Sequence, residues 1–586
     1  MAIAHTFPGV FIEEIPSGVR AITGVPTSVA AFVGRTPIGP VNSPVIVNSF
    51  GDYVRAFGGL DANSSVSYAV SNFFQNGGGQ GVIVRLYEAP VQTPAVDGFA
   101  RVVIGGTPSS DQFTLKAASP GTWANDIVVT VSVLDPTFAV IVSSPAGTPQ
   151  AADSQLAAVA TLLGFDASPS DYEDNLETIF SLTITHGGTS ETIANLTLGP
   201  GPRQASQVLK VGRSASQFVV WESGIVAAGT KITTVVPGIQ ASPPVDSVDF
   251  FSDGDGLDSA PLSPDTYAGT VDSAGNKSGI LALDNADIFN VLCIPPDQRS
   301  AADPISWGDT APEVFVQALS YVVGRRAMLI IDPPTPEGAS ASPSVRAFNT
   351  AADGAGVLND FAAIGINGNN ARNSVMYFPR VLEADSRNGN RIGTFASCGI
   401  IAGIWSATDA ARGVWKAPAG IDAGLSGIAG LPVTMTDAEN GQINPIGINA
   451  LRTFPIVGTV VWGGRTLRGS DVVADDYKYL PVRRFALFLE ESLFRGLKFA
   501  VFEPNAEPLW SQIRLNVNAF LNGLFRQGAF AGATPRDAYF VKCDAETTTQ
   551  NDINLGVVNV LVGFAPLKPA EFVIIQIQQI AGQVTT

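Results

Sequence analysis

Phe315-Val316-Gln317-Ala318-Leu319-Ser320-Tyr321-Val322-Val323-Gly324-Arg325-Arg326-Ala327 runs straight into Met328-Leu329-Ile330-Ile331 and stops at Asp332-Pro333-Pro334. The first part spaces its apolar residues for one face of a helix, and the second is a wholly apolar run of strand length. Two prolines then end it. A helix feeding a strand with no polar face is the repeating unit of an α/β layer, because only a strand covered on both sides can be apolar throughout.

The same alternation lies far upstream. Between Ala21 and Tyr87 the apolar runs Ser28 to Gly34, Val45 to Val47 and Val82 to Tyr87 flank a helical stretch from Val66 to Asn76. From Ala89 to Asp249 the text changes to Thr, Val, Ser, Gly and Pro, as in Asp126-Ile127-Val128-Val129-Thr130-Val131-Ser132-Val133, with a helical interruption from Gln155 to Leu163. This reads as a mostly β insertion that splits the α/β domain in two. Downstream, Val482 to Lys498 and Leu509 to Arg526 carry the longest helical patterns, and the strands Asp537 to Cys543 and Val557 to Val562 frame a polar loop. The expected fold class is therefore a multidomain α/β and α+β chain. Its parts are an extended arm (1–20), a discontinuous middle α/β domain (21–88 and 250–400), the β-rich insertion (89–249), a C-terminal α/β core domain (401–570) and a terminal strand with tail (571–586).

A length of 586 residues and 45% apolar content support several packed cores. The 34 basic and 52 acidic residues leave a net charge of −18, which disfavours direct contact with nucleic acid. The acidity is uneven. From Arg391 onward there are 16 basic and 16 acidic residues, which leaves 18 and 36 for the first 390. A balanced C-terminal third beneath an acidic remainder suggests two environments, one solvated and one engaged in paired contacts. Cys293, Cys398 and Cys543 are too far apart for a disulfide framework or a thiolate metal site. The N-terminus has no secretory pattern, and Ile392 to Ala407, the most apolar stretch, falls short of a bilayer span, so no membrane insertion is expected.

The usual catalytic signatures are missing. His5 and His186 are the only histidines, which leaves Ser-His-Asp and multi-histidine metal chemistry without material. His186-Gly187-Gly188-Thr189-Ser190 reads as a turn between strands, since no nucleophile elbow accompanies it. Asp253-Gly254-Asp255-Gly256-Leu257-Asp258 resembles the start of a calcium loop, but Pro264 stands where the bidentate glutamate belongs. Gly275-Asn276-Lys277-Ser278 lacks the leading glycine of a phosphate loop. No catalytic, cofactor-binding or metal residues are assigned, and the chain is expected to be neither an enzyme nor a nucleotide consumer.

Both termini are apolar and strand-like. Phe7-Pro8-Gly9-Val10-Phe11-Ile12-Glu13-Glu14 begins an arm, and Glu571-Phe572-Val573-Ile574-Ile575-Gln576-Ile577 is a β-branched, proline-free run. Fifteen extended residues reach about 50 Å. A strand of this kind left unpaired is an aggregation hazard, so each is expected to pair with a sheet edge, in its own chain or in a neighbour.

Several motifs, in order, resemble the contractile tail sheath proteins of bacteriophages and related phage-like particles. They are Thr6 to Glu14, Phe73-Phe74-Gln75-Asn76-Gly77-Gly78-Gly79, Val82 to Arg85, Arg412-Gly413-Val414-Trp415-Lys416-Ala417-Pro418-Ala419-Gly420, Asn449 to Arg452, Val461 to Leu467, Tyr479 to Arg484 and Phe502-Glu503-Pro504-Asn505. The insertion contributes only Ser119 to Asn125. The resemblance implies a subunit stacked in six-fold rings around an inner tube protein, capped by baseplate and terminator proteins, with its C-terminal domain innermost and its insertion outermost. It implies assembly in a bacterial host's cytoplasm and residence in a virion tail. It further implies that Phe7, Pro8, Gly9, Val10, Phe11, Ile12, Glu13 and Glu14, and likewise Phe572, Val573, Ile574, Ile575, Gln576 and Ile577, add strands to neighbouring subunits. Arg495, Lys498, Arg514 and Arg526 are candidates for facing the tube, the alternative being that they pair with Glu490, Glu491 or Glu507. The sheath of a headless injection particle is physically the same class. A static surface or tube lattice is a different one.

Overall fold

The computed structural model describes residues 21–92, 97–105, 112–133, 180–196, 203–210, 214–225, 246–249, 256–301, 303–334, 362 and 364–577. The arm expected over residues 1–20, the helix expected from Gln155 to Leu163, and Asp253 and Asp255 lie outside these residues.

In chain order, β1 (Ala30–Gly34), β2 (Val45–Val47), α1 (Phe50–Phe57), α2 (Ser65–Gln75) and β3 (Gly81–Arg85) come first. The insertion supplies β4 (Arg101–Gly105), β5 (Gln112–Ala117), β6 (Val128–Val133), β7 (Phe180–His186), β8 (Thr189–Leu196), β9 (Val219–Ile225) and β10 (Asp246–Asp249). Then follow β11 (Val291–Cys293), α3 (Pro312–Gly324), β12 (Met328–Ile331), β13 (Ser374–Phe378), β14 (Val381–Asp385), β15 (Arg391–Phe395) and α4 (Cys398–Arg412). Last come β16 (Asn449–Phe454), β17 (Gly458–Trp462), α5 (Leu480–Gly496), α6 (Glu507–Arg526), β18 (Tyr539–Lys542) and β19 (Leu561–Phe564).

One sheet of eight strands organises the molecule, in the order β17-β16-β13-β12-β11-β1-β3-β2. Its six inner strands run parallel, and the outermost pairs, β2 with β3 and β16 with β17, are antiparallel. The passage that predicted α/β character forms α3 and β12, and every residue of β1, β11, β12 and β13 is buried. Two apolar layers cover the faces. One contains α3 with Leu292, Leu329 and Met376; the other contains α2 and α4 with Ile330, Val375 and Tyr377. Helices α2 and α4 touch closely at Gly399, where an added Cβ would stand 2.1 Å from the Ala69 carbonyl oxygen.

The expected boundary between residues 400 and 401 meets a continuous helix. It falls inside α4, whose residues belong to the core beneath the eight-stranded sheet, and β16 and β17 extend that same sheet. Local patterning cannot say which sheet a strand joins. A parallel strand finds its neighbour only through a long connection. The described strands of the insertion pair only among themselves, as β4-β5-β9 and β10-β6-β7-β8, around a core that includes Phe113, Phe180 and Leu182. His186-Gly187-Gly188-Thr189 is the β7–β8 turn, with Gly187 and Gly188 at φ of 55° and 82° as such a turn needs. Beyond the large sheet, α5, α6, β18 and β19 surround a fourth apolar cluster that contains Phe485, Trp510, Ile513 and Phe530.

A polar knot joins α2 to the β14–β15 hairpin. Tyr68 donates to Asp385 at 2.6 Å, Arg299 pairs with Asp385 at 2.8 Å, and Asn72 donates to Glu383 at 2.7 Å. Burial pushes the Glu383 carboxyl up to about 8, against the Asn72 hydrogen bond and with help from Asp385. Between the ordinary carboxylate range and that value the unfolded chain has lost this proton and the folded chain keeps it. Stability contributed here therefore falls as pH rises through the window, then levels off. Glu383→Gln should flatten the fall, measured as urea midpoints from about pH 5 to about pH 9. An unchanged slope would mean that Glu383 is ionised in the folded protein.

Candidate intersubunit interface

In open α/β sheets ligands sit at the carboxyl ends of the strands, where the strand order reverses. Here that point lies beside β1, which has β3 on one side and β11 on the other. The chain fills it with its own side chains. Arg35, just after β1, forms an ion pair with Asp297, donates to the Asp297 carbonyl at 2.6 Å and to that of Ser259 at 3.1 Å. Asp297 also accepts from the Leu262 amide at 2.8 Å, and Ser65 donates to the Pro296 carbonyl. Asp258, the last carboxylate of the suspected calcium loop, is spent on the amide and hydroxyl of Thr122.

The chemistry moves to the C-terminal layer. Strands β18 and β19 pair with each other and with no other described strand, so each offers a free edge. One face of this ribbon, with Val541, Val562 and Phe564, packs on the α6 cluster, and on the other Phe540 and Leu561 are exposed. The last described residues have no strand partner. Phe572, Val573, Ile574, Ile575 and Ile577 are 73–92% exposed, and Gln576 is exposed beside them. A run of large apolar side chains in water, interrupted only by Gln576, is the feature that a lone monomer does not explain.

Both arm roots are fastened around α5. On the N-terminal side Ile22 packs on Gly496, Gly24 faces the Phe488 ring, and the Val25 amide donates to Ser492 Oγ at 3.2 Å. Thr27 donates to Asp409 at 2.6 Å, and its carbonyl accepts from Arg484 at 3.1 Å. Arg484 and Asp409 form an ion pair of 2.6 Å whose side chains are 3% and 4% exposed, with the guanidinium 4.5 Å from the centre of the Trp405 ring. On the C-terminal side, Arg465 holds Glu571 with two parallel bonds of 2.7 Å.

The expected tube-facing cations behave differently from one another. Arg495 is engaged by Glu491 at 2.7 Å and Asp287 at 2.9 Å, and Arg514 by Glu507 and the Cys543 carbonyl. Both are therefore paired within the chain. Lys498 is exposed with its ammonium 5.6 Å from the Phe494 ring centre, and Arg526 is exposed with no ion-pair partner among the described residues.

The motif residues turn out to be fasteners. Asn449 is fully buried and bridges the Met376 carbonyl on β13 to both the amide and the carbonyl of Arg465. Trp415 packs edge-on against Phe485, Lys416 closes its own turn onto the carbonyls of Ala417 and Ala419, and Arg483 donates to Asn373. Asn505 accepts from Trp510 at 2.9 Å and donates to the Val557 carbonyl at 2.9 Å. Sequence reasoning missed the Arg465–Glu571 and Arg484–Asp409 pairs. The signal for the first is a lone carboxylate at the head of an apolar run.

Residues 473–580 match the family model of the phage tail sheath C-terminal domain. The chain carries a tail sheath domain. That domain spans α5, α6, β18, β19 and the clasped terminal segment, the parts that hold the arm roots and the open edges. Among solved structures, the sheath tail protein Lin1278 from Listeria innocua aligns over 93% of this chain and 96% of its own, with TM-score 0.54 and 11% identity. The sheath complex of an extracellular contractile injection system, PVC, in its contracted state aligns over 98% of both chains with TM-score 0.51 and 19% identity. The helical sheath of the anti-feeding prophage in its contracted state covers 98% of this chain and 100% of its own at TM-score 0.49 and 21% identity. For the first two, at these identities, the likeness is one of fold. No curated protein matches the chain significantly.

Asp409→Ala tests the fastening of α5. It leaves the Arg484 guanidinium buried without its carboxylate, and a loss of about 3–5 kcal/mol is expected in urea unfolding followed by tryptophan fluorescence. A loss below about 1 kcal/mol would mean that water reaches the pair as it does at a surface.

Proposed function

We propose that this chain is the structural subunit of a contractile tail sheath. It polymerises as a six-fold helical sleeve around an inner tube and contracts from a metastable extended state, driving the tube through a target envelope. The observation that carries the reading is the exposed apolar run Phe572–Ile577 beside a two-stranded sheet with two free edges, both within the tail sheath domain. Each edge is complementary to such a strand in a second copy, and Phe7 to Glu14 would occupy the other edge.

The energetics suit a reversible joint. Burying five large apolar side chains yields about 10 kcal/mol, and ordering six residues costs about 9 kcal/mol. Hydrophobic gain and ordering nearly cancel, so the backbone hydrogen bonds, at about 1 kcal/mol each, decide the balance. An isolated two-state unit needs about 5.5 kcal/mol to pass from 1:99 to 99:1. Subunits linked by shared strands can each contribute less and still switch together. No fuel is consumed at firing, since strain set during assembly supplies the work.

A second reading, the sheath of a headless injection particle, is favoured by the likeness to the injection-system sheath over 98% of both chains. The two share one mechanism and differ in what the tube delivers. In either case the partners are copies of this chain, the inner tube protein, and the baseplate and terminator proteins that close the ends.

Deleting residues 572–577 should leave a folded monomer that forms no sleeve in electron micrographs. The parent should show two helical forms by cryo-electron microscopy, one long and narrow and one short and wide. A single lattice would support the static reading and defeat this one. Of the four cations, Arg526 is the best placed to meet the tube. Arg526→Glu should weaken co-sedimentation with the tube protein at least about tenfold, whereas Arg495→Gln should not, its partners being internal.

A further inference from the structure

Residues 567–577 form an exposed segment in which only Pro569 and Glu571 are partly covered. Within it Glu571 is held by an unusual number of donors. Arg465 Nε and Nη2 each approach one carboxylate oxygen at 2.7 Å, Asn444 Nδ2 donates at 2.9 Å, and the Tyr479 hydroxyl donates at 3.2 Å. Arg465 itself is 1% exposed, and its remaining nitrogen donates to the Asn444 carbonyl and to Asp471, both at 2.9 Å. Burial raises the Glu571 carboxyl, but the hydrogen bonds from Arg465 and Asn444 outweigh it and hold it below its ordinary range.

A desolvated ion pair is a poor source of stability, because the loss of hydration offsets most of the attraction. Its better-attested use is to fix register, and a bidentate guanidinium–carboxylate pair fixes direction as well as distance. The anchor also runs inward without a gap. Fully buried Asn449 on β16 grips the Arg465 backbone on both sides and reaches Met376 on β13, an inner strand of the eight-stranded sheet. One residue beyond the clasp the chain is 73% exposed.

We infer that Arg465 is the positioning residue of the C-terminal strand: by clasping Glu571 it fixes where the strand leaves the subunit, so that rotation of the sheet reaches a neighbouring copy instead of being lost in a slack linker. This rests on the sheath reading given above. A second copy that took up residues 572–577 would then be steered by a lever with its fulcrum at Glu571. With the clasp open, a slack segment beginning near Leu567 would lengthen the linker by about four residues, roughly 13 Å of extended chain.

The test uses the full-length protein with nitroxide labels at Val573→Cys and Ile456→Cys, both positions exposed, while the three native cysteines are buried. Glu571→Ala leaves Arg465 its bonds to Asp471 and the Asn444 carbonyl, so it should fold with a lowered melting temperature, and the distances are compared well below both transitions. The parent should give one narrow distance distribution by pulsed dipolar spectroscopy, and Glu571→Ala one at least about twice as wide. Glu571→Gln, which can still accept from Asn444 and Tyr479, should fall between. A broad distribution in the parent, or equal widths in all three, overturns the inference. In assembled material Glu571→Ala should still polymerise but with blurred helical order, and sleeves as regular as the parent's would also overturn it. The sheath reading stands or falls separately. It fails if the chain lacking residues 572–577 assembles normally, whatever the label distances show.

Discussion

A guanidinium keeps its charge at neutral pH, so an arginine taken out of water needs acceptors around it. Among the described residues four are buried at joints. Arg85, at the end of β3, donates to the carbonyls of Pro37, Gly39 and Pro120 and so ties the large sheet to the insertion. Arg380 binds the carbonyls of Pro333, Trp307 and Gly308 together with Asp309, which locks the loop after β12 to the β14–β15 hairpin. Arg484 joins α5 to α4 and to the N-terminal arm root, and Arg465 joins the sheet to the C-terminal one. All four are at most 4% exposed. Opening any of these joints would strand a charge in a dry site, so the joints hold the layers as one body. Arg85 shows the cost most plainly. Without a carboxylate against it, burial pulls its pKa down to about 10 and leaves its Nε unpartnered among the described residues.

A body fastened in this way can deform only where it is not fastened. Among the described residues those places are the segment 572–577 and the free edges of β18 and β19. Among the described residues the arrangement leaves a run of exposed apolar side chains at Phe572–Ile577. It also accounts for the fate of the sheet's natural ligand crevice, which Arg35 and Asp297 close from within. A doubly wound sheet is used here as a plate that carries attachment points, consistent with the rule that a fold does not fix a function.

Much of this was legible from pattern alone. Helix α3 was expected over Phe315 to Ala327 and lies at Pro312–Gly324, and α2, α5 and α6 begin and end within about two residues of expectation, because amphipathic periodicity registers turn by turn. Buried strands such as Met328–Ile331 read directly from their apolar runs. Short strands beside turns did not. The segment Val557 to Val562 slid to Leu561–Phe564, since the helical turn at Gln550–Asn554 and the loop after it hold residues 555–560. The start of Asp537 to Cys543 was lost to a capping box between Thr534 and Asp537. Ion pairs across long separations, such as Arg465 with Glu571, left no local periodic trace. Their partners meet only after the sheet has formed.

The charge distribution bears on which way such a sleeve relaxes. The first 390 residues carry 36 acidic and 18 basic groups, whereas the remainder is balanced at 16 of each. In a sleeve with the C-terminal layer inside, contraction to a shorter, wider form moves the acidic parts outward radially and closer axially. Like charges more than about 10 Å apart are largely screened at ordinary salt, so the repulsion grows only when the parts nearly touch. It cannot drive contraction and opposes it weakly at the end. In the proposed sleeve the drive would come from short-range surface that an extended form leaves open. The exposed apolar positions of the C-terminal layer, Phe494, Val501, Phe502, Leu515 and Phe540, are the side chains available for it. Phe502 is fully exposed at a φ of 67°, a conformation that aromatic residues rarely adopt unless their surroundings impose it. A strained apolar residue held out into solvent is costly in the monomer. In the proposed lattice it would become contact area gained when neighbours close.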